Sequence, residues 1–298
     1  IKENSCLIRE ANFKITVTLQ NNETIDIECG NTTKNSYGIA FDIGTTTVAG
    51  YLVDLNTGEE LSAVAKANPQ IIYGDDVISR IGFAQKQKEN LEILQGEIVN
   101  TLNEIIREAA QRAGVNANNI YKITVAGNTC MHHLLLGLNP SYIAPSPYIP
   151  VIKESLNLKV KDVPGLSINP TAHIYILPNI SAFVGADIVA GILAIRMYEN
   201  EKTSLFIDLG TNGEIVLGSK RKIWTCSTAA GPAFEGARIS SGMRAAEGAI
   251  DKVKIDNESI TYRVIKDGKV RGICGSGLID LIAELVKLGL IDKSGKLI

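Results

Sequence analysis

The sequence predicts an α/β fold built from two similar units, and two observations carry this prediction. Segments with strand-like patterns alternate with helical patterns along the 298 residues. In addition, FDIGTTTVAGYL aligns without gaps with IDLGTNGEIVLG further along the chain. Composition alone predicts only about a tenth of a copy of D-x-G-T in a chain of this length, so two copies indicate a duplication. The alignment matches Asp42 with Asp208, Gly44 with Gly210 and Thr45 with Thr211.

The first half of the chain contains most of the predicted strands. Alternating apolar and polar residues in FKITVTL and ETIDIECG predict two short strands within residues 1–36. The segments YGIAFDIG, TVAGYLVDLNTG and ELSAVAKAN predict an antiparallel meander. Helical spacing of apolar residues predicts a helix over residues 75–113, closed by Gly114. A strand in IYKITVAGN and a helix in TCMHHLLLGL follow.

The second half begins with residues 140–178, which are rich in proline. Proline is disfavoured inside helices and sheets, so we expect an extended loop or a small insertion there. A helix in AFVGADIVAGILAIRMY then leads to the second strand–turn–strand copy, TSLFIDLGTNGEIVLGSKRKIW. An apolar helix opened by GICGSG completes the predicted order.

Composition excludes several classes of function. Apolar residues make up 45% of the chain and charged residues 21%, which is ordinary for a globular protein. The net charge of -2, without clusters of Lys and Arg, argues against binding to nucleic acid or to an anionic membrane. The longest apolar run is far shorter than the roughly 20 residues of a membrane helix. The sequence as given has no secretory signal, so we expect a cytoplasmic protein.

The cysteines indicate neither a disulfide framework nor a cysteine-bound cluster, because the five are scattered and form no C-x-x-C pair. The stretch CMHH places Cys130, His132 and His133 close together. Neighbouring residues on a helix face different directions, and no second pair of ligands is visible. A structural role is therefore favoured over a metal site.

Each D-x-G-T copy places a carboxylate at the end of a buried strand, beside a turn rich in Gly, Thr and Asn. Backbone N–H groups and hydroxyls in such a turn suit phosphate oxygens, and the carboxylate suits Mg²⁺. These residues are also good turn formers, but two matched turns favour a ligand site. The predicted phosphate-binding residues are Asp42, Gly44, Thr45, Thr46 and Thr47 in the first copy and Asp208, Gly210, Thr211, Asn212 and Gly213 in the second. Asp42 and Asp208 are the predicted Mg²⁺ ligands, through water.

The two motifs resemble the phosphate motifs of the actin-like ATPases, a superfamily with a ribonuclease H-like fold that includes sugar kinases, heat-shock chaperones and actin. The resemblance implies two lobes around a nucleotide cleft that holds ATP with Mg²⁺. It also implies an acid, on the helix before the second motif, that orients the attacking water or hydroxyl. That position nominates Asp187, with a plain helix acid as the alternative. Glu214 is the second catalytic candidate, unless it points to solvent.

Longer blocks resemble a narrower family, the reductive activators of corrinoid-dependent enzymes. These blocks include VAGNTCMHHLLLGLNP, AAGPAFEGARISSGMRAAEGAI and ICGSGLIDLIAELVKLGLID, and the likeness spans residues 37–290. Members of that family use ATP to help return cob(II)amide to cob(I)amide in a corrinoid protein of methyl transfer. The resemblance therefore implies a corrinoid protein as partner. It also implies a two-iron two-sulfur cluster and an adenosine motif, both expected only in the full-length protein.

The resemblance further divides the chain. It implies the end of a linker or middle domain at residues 1–36, a first lobe at 37–202 that includes the insertion at 140–178, and a second lobe at 203–298 that is truncated. Uncovered sheet edges would then favour a homodimer. At the start of the last helix, Gly275, Ser276 and Gly277 either meet the nucleotide or form a packing turn. The loop with Glu235 and Arg238 is a further candidate contact to nucleotide or partner.

Two other functions fit the same motifs. A small-molecule kinase of the same superfamily would transfer the γ-phosphoryl group to a hydroxyl, with Asp187 as its base. A nucleotide-gated interaction module would hydrolyse ATP slowly and change its affinity for a partner. The absence of a recognisable substrate-binding group of residues favours the activator over the kinase.

Overall fold

The computed structural model describes residues 5–20, 22–236, 239–256 and 259–298. It divides the chain into two compact units, unit 1 at Ile1–Met197 and unit 2 at Tyr198–Ile298. Strands and helices occur in both units, which confirms the predicted α/β class. Among the described residues, no helix combines the length and the apolar character needed to cross a bilayer.

Unit 1 begins with a short helix and a hairpin. These elements are α1 (Ser5–Glu10), β1 (Ile15–Gln20) and β2 (Glu23–Cys29). The alternating pattern predicted the two strands, and the structure shows that they pair antiparallel. The hairpin is tied to the rest of the unit because Asn119 Nδ2 donates a hydrogen bond to Glu28 Oε1 at 3.1 Å.

The main sheet of unit 1 has six strands in the order β5-β4-β3-β6-β8-β7. Its strands are β3 (Tyr37–Ile43), β4 (Thr47–Asp54), β5 (Glu60–Ala67), β6 (Ile120–Gly127), β7 (Leu156–Lys159) and β8 (His173–Ile176). The strands β3 to β5 form the predicted meander, and β6 runs parallel to β3. Phe41 and Ile43 face the core, so strand alternation leaves Asp42 exposed on the opposite face.

Helix α3 (Lys88–Ala113) packs on β4 and β5 of the meander, and helix α2 (Val77–Lys86) packs on α3. The single helix predicted over residues 75–113 was wrong in one respect, because the extended backbone of Gln87 (φ -150°, ψ 151°) separates the two helices. Asp76 and Ser79 form the capping box that starts α2. Gly114, in the left-handed conformation, ends α3 as predicted.

The proline-rich residues 140–178 are more regular than predicted. Both β7 and β8 lie within them, and β8 pairs parallel with β6. Prolines stand between these strands and not inside them, so the sheet continues past the insertion. Helix α4 (Thr129–Leu135) precedes the insertion and α5 (Ala186–Ala194) follows it, near the predicted positions.

Unit 2 contains two three-stranded sheets. The first holds β9 (Ser204–Leu209), β10 (Asn212–Ser219) and β11 (Lys222–Ala229), and the second holds β12 (Ala249–Asp256), β13 (Ser259–Val264) and β14 (Gly272–Ile273). Helix α6 (Gly275–Lys287) packs on β12. The antiparallel sheet β9–β11 confirms the second predicted strand–turn–strand copy. One face of that sheet carries exposed apolar side chains, among them Leu205, Ile207, Leu217 and Trp224.

Candidate functional site

The first turn, between β3 and β4, has a tight backbone that requires glycine. The N–H of Gly44 donates to the carbonyl oxygen of Thr47 at 2.9 Å. A Cβ at Gly44 would lie 2.7 Å from that same oxygen, which is closer than any side chain tolerates. Asp42 stands at the end of β3 beside this turn and pairs across the strands with Ala49. The predicted carboxylate is therefore placed next to the predicted phosphate turn.

Three successive carbonyl groups of the first turn are bound from inside unit 1. The Asn68 side-chain amide donates to the Gly44 carbonyl at 2.9 Å, and the Asn68 backbone N–H donates to the Thr46 carbonyl at 2.9 Å. Arg80 Nη2 donates to the Thr45 carbonyl at 2.5 Å. Asn68 and Arg80 are both fully buried. Neither was predicted, because a polar side chain on a loop or a helix ordinarily faces solvent.

Asn128 joins the first turn to two helices. Its Nδ2 donates to Thr45 Oγ1 at 2.9 Å, and its Oδ1 accepts from the Met131 N–H at 3.0 Å, which caps α4. The backbone of Gly185, just before α5, packs against it, since a Cβ there would lie 2.5 Å from Asn128 Cα. The start of α5, including Asp187, thus lies at the same end of the sheet as the first turn. The sequence signal for Asn128 is its position as an N-cap residue directly after a strand.

Asp187 lies in the first turn of α5 and is partly buried. Its Oδ1 accepts a hydrogen bond from the Ile188 N–H at 2.8 Å. A carboxylate at this position also interacts favourably with the helix dipole. The location fits both a catalytic acid and a plain helix acid, so the catalytic role stays a prediction.

The second turn, between β9 and β10, is one residue shorter than the first. Residues 44–47 separate the last paired positions Ile43 and Val48, whereas only residues 210–212 separate Leu209 and Gly213. The ungapped alignment is therefore correct through Gly44 and Gly210 and wrong beyond them. As a consequence, the residue opposite Asp208 is Glu214, at the position that corresponds to Ala49 in the first copy.

The shorter turn is held mainly by the main chain. The Thr211 carbonyl accepts hydrogen bonds from the N–H groups of Ala230 and Gly231, at 3.3 and 2.8 Å. The Gly210 N–H donates to the Asn212 carbonyl at 3.0 Å. A Cβ on Gly210 would lie 3.5 Å from that carbonyl oxygen, an ordinary van der Waals distance. Gly210 is therefore not required by close packing.

Asp208, Glu214 and Ser227 form a row of cross-strand partners, named here the carboxylate row. Cross-strand partners place their side chains on one face. Ser227 Oγ donates to Glu214 Oε1 at 2.9 Å. Burial raises the pKa of Asp208 above its ordinary value. Burial, followed by repulsion from Asp208, also raises the pKa of Glu214, while the hydrogen bond from Ser227 opposes this increase.

The carboxylate row has the donor set of a Mg²⁺ site. Mg²⁺ is usually bound through one or two carboxylates, with waters and substrate phosphates as the other ligands. Asp208 supplies one such carboxylate, and Glu214 adds a second negative charge beside it, so a nearby cation would relieve the repulsion that Asp208 exerts on Glu214. Within the described ranges, no group of three or more His, Cys, Asp or Glu side chains is placed to hold a metal ion.

The glycines at the start of α6 are explained by packing. A Cβ would lie 1.7 Å from the Phe234 carbonyl oxygen at Gly275, and 2.3 Å from the Ile250 carbonyl oxygen at Gly277. Ser276 is exposed. A nucleotide contact at these residues stays a prediction. Arg238 and the side chain of Glu235 lie outside what the structure describes.

The histidines of CMHH are core residues of unit 1. The His133 ring lies between the Thr129 carbonyl, 2.7 Å from Nδ1, and the Val151 N–H, which donates to Nε2 at 3.0 Å. These contacts place the proton of the neutral ring on Nδ1. His132 contacts the Asn179 side chain, and burial lowers the pKa of His132 to about 4. Both contacts support the structural role that the sequence favoured.

Comparisons with known proteins agree with this architecture. A family model described as the RACo middle region matches residues 37–200, and one described as the C-terminal ASKHA domain of RACo matches residues 202–298. The corrinoid activation enzyme RamQ of Eubacterium limosum is 43% identical over 96% of this chain. A reductase of Co(II) methylated amine-specific corrinoid protein from Methanosarcina barkeri is 31% identical over 88% of it.

A solved structure of a reductive activator for corrinoid, iron-sulfur protein superimposes with a TM-score of 0.90 and 40% identity, and it covers all of this chain. The chain spans about half the length of these relatives, namely 48%, 53% and 48% of the three proteins. The ASKHA match confirms the predicted actin-like class of fold. Since the middle-region model alone matches more than half of the chain, the chain belongs to the RACo family, the reductive activators of corrinoid proteins.

Proposed function

We propose that this chain is the ATP-binding and ATP-hydrolysing part of an enzyme that couples ATP to the reduction of cob(II)amide to cob(I)amide in a corrinoid protein. The carboxylate row beside the second turn is the observation that carries this proposal. Asp208 and Glu214 are adjacent, partly buried and repel each other, so they are suited to a cation and to proton transfer. The names of the relatives support a corrinoid protein as partner.

In this proposal each of the two turns binds phosphate oxygens of ATP. Asp42 beside the first turn and Asp208 beside the second are the residues that would hold Mg²⁺ through water, and a bound ion would neutralise phosphate charge. Glu214 accepts a proton from the attacking water, because its raised pKa brings it closer to neutral pH. Asp187 is the second candidate for orienting that water.

The described residues do not fit an iron-sulfur cluster. A two-iron two-sulfur cluster needs four ligands close together, and here Cys130 and Cys274 are buried while Cys6, Cys29 and Cys226 are exposed at separate positions. Electron transfer is therefore assigned to no residue of this chain. All five cysteines are free thiols, which suits a reducing compartment, and we propose the cytoplasm as its location.

The proposal is tested by ATP turnover in the full-length protein, with and without a corrinoid protein in the cob(II)amide state. We expect turnover to depend on Mg²⁺ and to rise with the corrinoid protein. Cobalt reduction is followed in the same samples by absorbance. A panel of hydroxylated metabolites is screened in parallel by mass spectrometry.

Two results would contradict the proposal. A phosphorylated metabolite without any binding of the corrinoid protein would identify a small-molecule kinase. Partner binding that responds to nucleotide without any turnover would identify a nucleotide-gated interaction module. The homodimer stays a prediction, and sedimentation of the same samples checks it.

A further inference from the structure

Arg80 places a positive charge directly beneath the first turn. Its side chain is 0% exposed and extends from α2. The guanidinium donates to the carbonyl oxygens of Thr45 and Gly74 at 2.5 and 2.8 Å, and to Gln70 Oε1 at 3.2 Å. Its fourth contact is Met131 Sδ, at 3.3 Å. None of these four acceptors is a carboxylate, so the contacts that bury the cation do not neutralise it.

The guanidinium remains protonated despite its burial. Burial lowers the pKa of Arg80 to about 10, while the nearby Asp75 and Asp76 favour the charged form. The group therefore carries its full charge at neutral pH. A buried cation is costly unless its geometry offsets the loss of hydration. An apolar side chain would fill this part of the core without that cost, so the charge calls for a reason beyond packing.

The hydrogen bonds to the turn also fix which way its N–H groups point. In a trans peptide, each N–H points opposite to the carbonyl of the preceding residue. Asn68 and Arg80 bind the carbonyls of residues 44–46 from inside the unit. The N–H groups of residues 45–47 are therefore directed to the opposite side, away from Arg80. Successive N–H groups with one orientation form a concave site for an anion.

We infer that Arg80 is a positioning residue for phosphate binding at the first turn: it orients the N–H groups of residues 45–47 outward and adds a positive potential behind them. This inference rests on the proposed function, since it specifies how the first turn meets the phosphates of ATP. Arg80 itself touches no ligand in this arrangement. Asn68 performs the same orienting task without a charge.

The test compares the wild type with Arg80→Met, Arg80→Lys and Ile120→Ala in the full-length protein. Ile120 is the matched control, because its side chain is as buried as that of Arg80. It lies in the sheet that carries the first turn, at the end of that sheet away from the turn. Arg80→Lys keeps the charge with fewer donors, so it remains informative if Arg80→Met fails to fold. Calorimetry measures the affinity for Mg-ATP, and hydrogen exchange without nucleotide measures the protection of residues 41–47.

We expect Arg80→Met to lose about 10- to 100-fold in Mg-ATP affinity, the effect typical of a hydrogen bond to a charged group, and Arg80→Lys to lose less. Exchange of residues 41–47 should accelerate in both variants, whereas Ile120→Ala should keep affinity and protection despite its lower melting temperature. A loss of less than about twofold in Mg-ATP affinity is smaller than the effect of a hydrogen bond to a charged group. If both Arg80 variants show no larger loss than this, the inference is overturned and the proposed function stands. If the wild type itself fails to bind Mg-ATP, the proposed function falls. Unchanged exchange in the Arg80 variants would overturn the positioning role in either case.

Discussion

The first and second turns share a strand–turn–strand pattern, yet their surroundings differ in kind. The row that starts at Asp42 continues with Ala49 and Ala65, which carry no polar side-chain atom. The corresponding row that starts at Asp208 continues with Glu214 and Ser227. The first turn is bound from behind by a buried arginine, whereas the second is held by main-chain groups.

Under the proposed function, this difference corresponds to a division of tasks between two copies of one motif. A turn with a cation behind it and small residues beside it is suited to holding an anion. A turn with two carboxylates beside it is suited to a metal ion and to proton transfer. The two copies thus share a strand–turn–strand pattern, and the differences in turn length and in neighbouring side chains are what would give each copy its own chemistry.

The largest expected effect comes from removing the Glu214 carboxylate, which has no counterpart beside the first turn. We expect Glu214→Gln to lower the ATP turnover number by about 10²- to 10⁴-fold, because a general base contributes about that much. Steady-state kinetics of the full-length protein measures the effect. Glu201→Gln, at an exposed glutamate of the same unit, is the control. Equal turnover in both variants would contradict the role of Glu214 as a base and, with it, the proposed division of tasks.

Replacing the glycine of each turn by alanine should lower the stability of the protein more at the first turn than at the second. Gly44→Ala brings a Cβ within 2.7 Å of the Thr47 carbonyl, so we expect a loss of about 1–3 kcal/mol in the free energy of unfolding. Gly210→Ala meets its nearest atom at 3.5 Å and should cost less than about 1 kcal/mol. Urea denaturation measures both. Similar losses would contradict the tighter geometry assigned to the first turn.

Removing each strand-end aspartate should weaken Mg-ATP binding in different ways. Asp208→Ala removes a carboxylate from the carboxylate row, and we expect about a tenfold loss that disappears when Mg²⁺ is omitted. Asp42→Ala should give a smaller loss, since Asp42 is exposed and pairs with an alanine. Calorimetry in the presence and absence of Mg²⁺ checks both expectations. Unchanged affinity in both variants would refute the site at the strand ends.

The smallest expected effect is a shift in pH dependence. The pKa values of Asp208 and Glu214 are raised, so protons compete with Mg²⁺ at a higher pH than at ordinary carboxylates, and Mg²⁺ affinity should fall as pH is lowered from neutral. Ser227→Ala removes a hydrogen bond that lowers the pKa of Glu214, so this fall should move to higher pH.

Titration calorimetry at several pH values measures the shift. Ser62→Ala is the control, because Ser62 lies on β5 and donates to the Ala109 carbonyl, in the other unit. A Ser227→Ala profile that coincides with the wild type would mean that the serine does not influence the carboxylates.

Local patterns were sufficient for most of the fold. Strand-like patterns and turn residues predicted β3 to β6, β9 and β10, whereas β11 was not predicted as a separate strand. The break at Gln87 was missed, since helical periodicity continues on both sides of it. The strands β7 and β8 were missed because the prolines around them dominated the composition.

The candidate site was only partly predictable. The strand-end aspartates and the turns follow from the repeated motif, and Glu214 follows the second turn directly. Its position beside Asp208 depends on strand register, which one residue in the turn decides. Arg80 carried no sequence signal, because an arginine in an amphipathic helix normally points to solvent. Its role depends on contacts with residues that are distant in sequence, such as Thr45.

The unequal length of the two turns has an evolutionary consequence. If the second turn took in Gly213 and so reached the four residues of the first, the register of β10 would shift. Ile215 would then lie opposite Asp208, and Glu214 would lie on the apolar face, opposite Leu209. Point substitutions cannot reproduce such a shift, because they leave the alternation of side chains unchanged. Once one copy of the motif differed from the other in turn length and register, substitutions that keep the register could not make the two copies equivalent again. Later changes could then specialise each half separately.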